Sequence, residues 1–406
     1  MLRLNEGATA KRMLVALISA IVIVALAACG GDDSESSSSE TAAKDAPAGP
    51  YKVGMFGGFT GFLAPFDNSV KQGAQLRIDE LNANGGIDGK YKIEFMSQDS
   101  ASDPAKARVA ASALLDKDAQ FLIGTCAGDV SLPGGLLAQK QQIPIIPSCA
   151  GDPAFPKKVG DYAFLANPGG LAQGSALGEY AVKEGLKRVY IVGSTFNVYV
   201  QAYTDGFKEG FTKAGGEIVG EDSVELFKSS YAPSVQKLQE AEGDYDAVFT
   251  PLFVPDSVKL IRGARAAGID VPFLLDDGND STLIFAGGNP GDVRIVSFGD
   301  PGERAVLGEF YAAYEEKYGK APADINAALG ATMIDIIEAA VKAAGTTEPS
   351  AVAEAMRTLK VDATTGEFDY NGTSGVPKSP IVIRKAGPNK TLEYVTELRP
   401  SVVPQP

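Results

Sequence analysis

The 406-residue chain holds 37 basic and 51 acidic residues, no histidine and no tryptophan. Without histidine no Ser-His-Asp triad, Cys-His pair or histidine-bearing zinc site can be assembled. An anionic surface argues against nucleic acid and against an electrostatic grip on anionic lipid, while a carboxylate-pair hydrolase stays formally open.

Arg3, Lys11 and Arg12 form a basic start, and residues 13–28 then run sixteen positions without a charge. That is short for a bilayer span, which needs about 20 apolar residues. It suits the apolar core of a secretory signal. The run ends in Leu26-Ala27-Ala28-Cys29, which resembles the bacterial lipobox and implies a lipidated, mature N-terminal Cys29. Residues 30–49 are rich in serine, aspartate and glutamate and hold no large apolar residue. Such a segment cannot bury enough surface to offset its ordering entropy, so a flexible tether is expected. Cleavage before Cys29 removes three basic residues and one acidic one, leaving 34 basic and 50 acidic and a net charge of −16.

From Tyr51 onward one rhythm repeats. Short apolar runs at 51–56, 91–96, 120–123, 143–146, 188–192, 247–250, 271–275 and 293–296 read as buried parallel strands. Helical patterns lie between most of them. Val70, Ala74, Ile78 and Leu81 share a face, as do Ala107, Ala111, Leu114 and Leu115; so do Val235, Leu238 and Ala241, and Ile325, Leu329, Met333, Ile336, Ile337 and Val341. The alternation means an α/β fold with parallel sheets. Helical stretches at 301–318 and 324–344 follow each other without a strand between. That interruption suits two doubly wound lobes joined by a hinge better than one closed barrel. The expected division is a signal at 1–28, a tether at 29–50, one lobe from 51–168 and 300–358, and a second from 169–299 and 359–400.

In open α/β sheets ligands sit beyond the C-terminal strand ends, over helix N-termini. Here those positions are 57–66, 124–131, 148–152, 193–199, 251–256 and 276–282. The glycine-rich 57–61 stretch lacks the lysine and spacing of a phosphate loop and reads as a tight turn. Asp276, Asp277, Asn279 and Asp280 lack the spacing of a calcium loop and its distant glutamate, and read as polar turn residues.

Several stretches carry a resemblance. Thr60-Gly61-Phe62-Leu63-Ala64-Pro65-Phe66, Gly73-Ala74-Gln75-Leu76 and Asn82-Ala83-Asn84-Gly85-Gly86-Ile87-Asp88-Gly89 resemble the opening of type I periplasmic binding proteins of the leucine/isoleucine/valine class. Asp99 with Asp103-Pro104, Ile123-Gly124, Ile143-Pro144, Asn197-Val198-Tyr199, Phe207, Ala214-Gly215-Gly216, Phe368-Asp369 and Asn371-Gly372 continue it in order. The resemblance implies a clamshell. One lobe offers loops and helix N-termini to a ligand carboxylate; the other offers an acid for the ammonium and an aromatic wall. Gly128 then stands where a serine is frequent, Cys149 and Ala150 where backbone groups bind, and Gly151 where a threonine is frequent. Tyr199 and Phe253 fall on aromatic positions, Phe66 on the first-lobe wall and Asp277 on the ammonium-binding acid. Gly128 and Gly151 remove two hydroxyls, and Asp129 sets a carboxylate beside the expected carboxylate pocket. Amides, small aromatic acids and a cationic ligand therefore stand beside a branched-chain amino acid. The plainer readings are that Phe66 and Phe253 are core aromatics and Asp129 a helix N-cap.

Cys126 and Cys149 each follow a buried-type strand, and the two strands should neighbour each other. An oxidising compartment then favours a disulfide over two buried thiols, and both readings stand. The expected function is a lipid-anchored, non-enzymatic solute-binding protein at the extracytoplasmic face of the membrane, monomeric, serving the permease subunits of an ABC importer. No cofactor, metal or nucleic acid is expected. A ligand-sensing lipoprotein for a signalling receptor is the second reading.

Overall fold

A computed structural model describes residues 49–401; Cys29, the signal and most of the tether lie outside the described residues. Four parallel strands open the chain: β1 (Tyr51–Gly57), β2 (Ile93–Asp99), β3 (Phe121–Gly124) and β4 (Ile145–Pro147), in the order β2-β1-β3-β4. Helices α1 (Ala64–Ala83), α2 (Pro104–Leu115), α3 (Gly128–Lys140) and α4 (Phe155–Val159) lie between and after them. Side chains alternate across a strand, and β3 shows the consequence. Phe121 and Ile123 pack with Val70, Ala74 and Ile78 of α1, whereas Leu122 packs with Ala111 and Leu114 of α2. One sheet thus carries two apolar layers.

After Pro168 the chain enters α5 (Gly169–Lys183), β5 (Arg188–Gly193), α6 (Val198–Lys213), β6 (Glu217–Ser223), α7 (Ala232–Glu240), β7 (Ala247–Thr250), α8 (Asp256–Ala266), β8 (Phe273–Leu275) and β9 (Val293–Ser297). It returns to the first lobe through α9 (Ala305–Tyr318), α10 (Asn326–Ala344), α11 (Pro349–Met356) and a small hairpin, β10 (Lys360–Asp362) and β11 (Glu367–Asp369). It ends on the second sheet with β12 (Ile381–Ala386) and β13 (Leu392–Leu398), both antiparallel, giving the order β13-β12-β9-β8-β7-β5-β6. The same alternation builds two layers here. Phe249 and Leu274 face α5 and α6, whereas Val248, Phe273 and Leu275 face α7 and α8.

The strand–helix rhythm predicts this α/β, two-lobed architecture, with three differences. Leu359, Ala363, Phe368 and Tyr370 join the first-lobe core, and the Tyr370 hydroxyl donates to Leu165 O at 2.6 Å. The last crossing therefore falls just before β12, not near residue 359. Strand β6 carries no continuous apolar run because it is a sheet edge, mostly half-exposed. Of the closing strands, β10, β11 and β13 are short or largely exposed, whereas β12 is mostly buried and carries an apolar run, Ile381-Val382-Ile383, that the expected strands do not include.

The helices that aim the site pack backbone to backbone. A Cβ on Gly206 of α6 would stand 2.2 Å from Leu171 O of α5, and one on Gly73 of α1 would stand 1.7 Å from Ala327 O of α10. Only glycine leaves room for such approaches. Among the described residues, no helix is long and apolar enough to cross a membrane.

Candidate functional site

The first-lobe half of the site is organised around Asp67, fully buried near the start of α1. One carboxylate oxygen accepts from Gly58 N at 2.7 Å; the other accepts from Cys126 N at 2.9 Å and from the Ser148 hydroxyl at 2.7 Å. A single side chain thereby ties together the loops after β1, β3 and β4. Burial pushes its pKa up to about 7, against the pull of those three donors. The β3 and β4 loops are also joined covalently: Cys126 and Cys149 are disulfide-bonded, with Cα atoms 4.4 Å apart. Parallel pairing of Gly124 with Pro147 brings the two loops to the same sheet edge, as the sequence suggested.

The second-lobe half grows from the start of α6. Asn197 caps the helix, its Oδ1 accepting from Val200 N at 3.1 Å. Tyr199 and Tyr203, four residues apart, then lie on one face. Both hydroxyls donate to Asp277 Oδ1, Tyr199 at 3.1 Å and Tyr203 through a short bond. The Tyr199 oxygen accepts in turn from Gly278 N at 3.1 Å. Burial raises Asp277 to about 6, opposed by the two tyrosine hydroxyls. Burial and the neighbouring carboxylates push both tyrosines well above their usual range, so they remain donors. Asp276 also lies beside Tyr199. It accepts from the Asn279 amide, its Oδ2 has no partner among the described residues, and burial followed by the charge of Asp277 raises its pKa strongly.

Between these halves lies a cavity of about 40 Å³, room for roughly three waters on a one-sphere-each measure. Phe62, Leu63, Phe66, the Cys126–Cys149 bridge and Asn326 line it from the first lobe; Asn197, Tyr199, Phe253, Asp277 and Gly278 line it from the second. Phe66 and Phe253 meet edge to face across it, their centroids 5.9 Å apart. Among the described residues no lysine or arginine lines it, and Asp277 is its one ionisable carboxylate.

Of the residues named from sequence, Phe66, Cys149, Tyr199, Phe253 and Asp277 come together on this cavity. Gly128, Asp129, Ala150 and Gly151 do not line it. Gly128 opens α3 against Asp152, to which an added Cβ would come within 3.0 Å. Asp129 is exposed in the first turn of α3, where Ala127 is the N-cap, and its Oδ1 accepts from Val130 N at 3.0 Å. It is therefore neither the N-cap nor in the cavity. Ala150 O and Gly151 O accept from Asn167 Nδ2 at 3.0 Å and Gly170 N at 2.7 Å, so that loop braces the first crossing between the lobes. The side chain of Asp280 departs the other way, to Arg384 at 2.8 Å, whose Nε lies 2.9 Å from Asp300. The four polar residues at 276–280 thus serve different partners, and among the described residues no group of three or more potential metal ligands converges.

Sequence reading did not single out Phe62, Leu63, Asn197, Gly278 or Asn326. The first two stand in the quoted opening motif and Asn197 in the second-lobe motif. Asn326 carries no local signal, because it reaches the cavity from the first turn of α10, far along the chain.

A model of the periplasmic binding protein family matches residues 50–390. The chain is 21% identical over 338 residues to a leucine-, isoleucine-, valine-, threonine- and alanine-binding protein of Pseudomonas aeruginosa, covering 81% of this chain and 88% of that protein. Its fold is similar to that of a leucine-binding protein from Thermotoga maritima, with TM-score 0.77, 22% identity and coverage of 86% and 99% of the two chains. It is likewise similar to an ABC-transporter solute-binding protein from Rhodopseudomonas palustris in complex with 3,4-dihydroxybenzoic acid, with TM-score 0.78, 23% identity and coverage of 87% and 99%.

Proposed function

The chain belongs to the periplasmic binding protein family, and from that premise we propose that it is the extracytoplasmic solute-binding protein of an ABC importer, not an enzyme, and takes a small apolar amino acid between its lobes. The observation that carries the ligand class is the charge of the cavity: one carboxylate, Asp277, and no cation. An ammonium beside Asp277 replaces lost hydration with a charge-assisted hydrogen bond. An aromatic acid brings that carboxylate no cation, although four similar folds were solved with benzoate or hydroxybenzoates. The rings of Phe62, Phe66 and Phe253 supply the apolar wall for a side chain, and a ligand of that size enters by parting the lobes. The apolar run ending at Cys29 supports anchoring of the mature protein to the membrane by lipid.

A thermal-shift screen tests the reading with the twenty amino acids, their amides and a benzoate series. Ligand at about 100 times its dissociation constant adds about 2.7 kcal/mol of stability. Apolar amino acids should raise the melting temperature at neutral pH. A shift with benzoates and none with any amino acid would overturn the ligand class.

A further inference from the structure

Five phenylalanines form one continuous path across the cleft. Phe62, on the loop leading into α1, lies 5.8 Å from the ring of Phe196 and 5.9 Å from that of Phe227, both from the second lobe. Those two stand 5.2 Å apart, nearly edge to face. Phe227 continues to Phe253 at 6.2 Å, and Phe253 meets Phe66, back in the first lobe, at 5.9 Å. All these separations fall in the range where aromatic pairs attract beyond simple burial. Phe62, Phe66 and Phe253 line the cavity, whereas Phe196 and Phe227 do not and stay 43% and 47% exposed.

The second-lobe core does not require those two exposed rings, yet the chain holds them in place. Phe227 sits at φ +62°, a left-handed backbone that bulky residues avoid. Its amide donates at 2.6 Å to Asp256, a fully buried carboxylate that also pairs with Lys259 at 2.8 Å. Phe196 immediately precedes Asn197, the residue that caps α6. Strain of this kind persists where the surroundings over-determine it, and it clusters at ligand clamps.

We propose that Phe62, Phe196 and Phe227 form a latch at the mouth of the cleft that sets how long the lobes stay closed, the second-lobe pair acting without touching the bound molecule. The inference rests on the two-lobe binding reading. The Phe62–Phe196 and Phe62–Phe227 pairs break when the lobes part; the Phe196–Phe227 pair does not. Each broken pair weights the closed form by roughly two- to ten-fold.

Hydrogen–deuterium exchange of the full chain without added ligand tests the latch. The reporters are the Cys126 and Gly278 amides, which are hydrogen-bonded and belong to cavity-lining residues. Phe196→Ala and Phe227→Ala should each speed exchange there by roughly two- to ten-fold, with β1 and β7 unchanged. Phe196→Leu and Phe227→Leu, which keep much of the apolar area, should lie nearer the wild type. Unchanged exchange at the two reporters would overturn the latch, and so would uniform acceleration that includes β1 and β7. L-leucine is the probe in a second arm. If it binds the wild type, its dissociation should quicken in the alanine variants by the same factor while association holds. If no leucine binds, the amino-acid reading suffers, and exchange still decides the latch.

Discussion

At Asp277 two tyrosine hydroxyls converge on one oxygen of a buried carboxylate, while Asp67 gathers three donors at the opposite side of the cleft. Burial holds the first near 6 and the second near 7, against about 3.9 for a free aspartate. In that window the folded chain binds protons that the unfolded chain has released, so stability falls as pH rises through it. Melting temperature should therefore rise as pH is lowered from about 7 to about 5.5. Binding of an ammonium should move the other way, since it needs Asp277 ionised and weakens as pH drops through about 6. Asp277→Asn should cost on the order of 2–5 kcal/mol in affinity and flatten that pH dependence. Calorimetry over the same pH range checks both signs. Affinity that grows on acidification would mean the bound molecule carries no cation. Asp277 was legible only through its place in the family resemblance, with no quoted motif around it; of its two tyrosine partners Tyr199 stands in a quoted motif, whereas Tyr203 lies one helical turn beyond it.

Among the elements, α6 aims Asn197 and Tyr199 while α1 holds Asp67 and Phe66, and each helix is seated by contact at a glycine. Alanine in place of a helical glycine gains about 1 kcal/mol in propensity. At Gly206 and Gly73, however, the new methyl meets a backbone oxygen that cannot rotate away. Overpacking of this kind costs about 1–3 kcal/mol or more, so the clash should win. Gly206→Ala and Gly73→Ala should each destabilise on balance, by up to about 2 kcal/mol in urea unfolding. Gly215, with nothing near its Cβ position but φ +99°, provides a contrast in which conformation alone opposes alanine. A variant of Gly206 as stable as the wild type would mean the two helices are not pressed together.

Across the whole molecule, the segments that join the lobes are fastened by buried polar groups. Arg384 on β12 bridges Asp280 beyond β8 and Asp300 on the return crossing. A lipid anchor would keep the protein near the bilayer that holds the importer. If Cys29 carries the lipid, Cys29→Ala should leave the chain uncleaved or release it from the membrane fraction, as immunoblots of fractionated cells would show. Normal processing and full membrane retention would refute the anchor.

The sequence by itself determined the α/β class, the two-lobe division, most strands of both sheets and the loops that hold the site, because strand–helix rhythm and apolar runs are local properties. It carried Phe66 and Tyr199 through quoted motifs, pointed to Asp277 and Phe253 only by their place in the family resemblance, and brought Cys126 and Cys149 to one sheet edge through strand adjacency. Only the tertiary structure decided which loop residues reach the cavity. Gly128, Ala150 and Gly151 turn to brace a helix start and a crossing, whereas Asn326 arrives from α10. Edge strand β6 and strands β10, β11 and β13 leave little trace because exposed or half-exposed strands need no apolar run, whereas buried β12 carries a three-residue one, Ile381-Val382-Ile383, too short to stand out. The aromatic seam between Phe62, Phe196 and Phe227 was invisible for a related reason: the contact exists only where two separately folded lobes meet, and residues far apart in the chain leave no periodic trace of it.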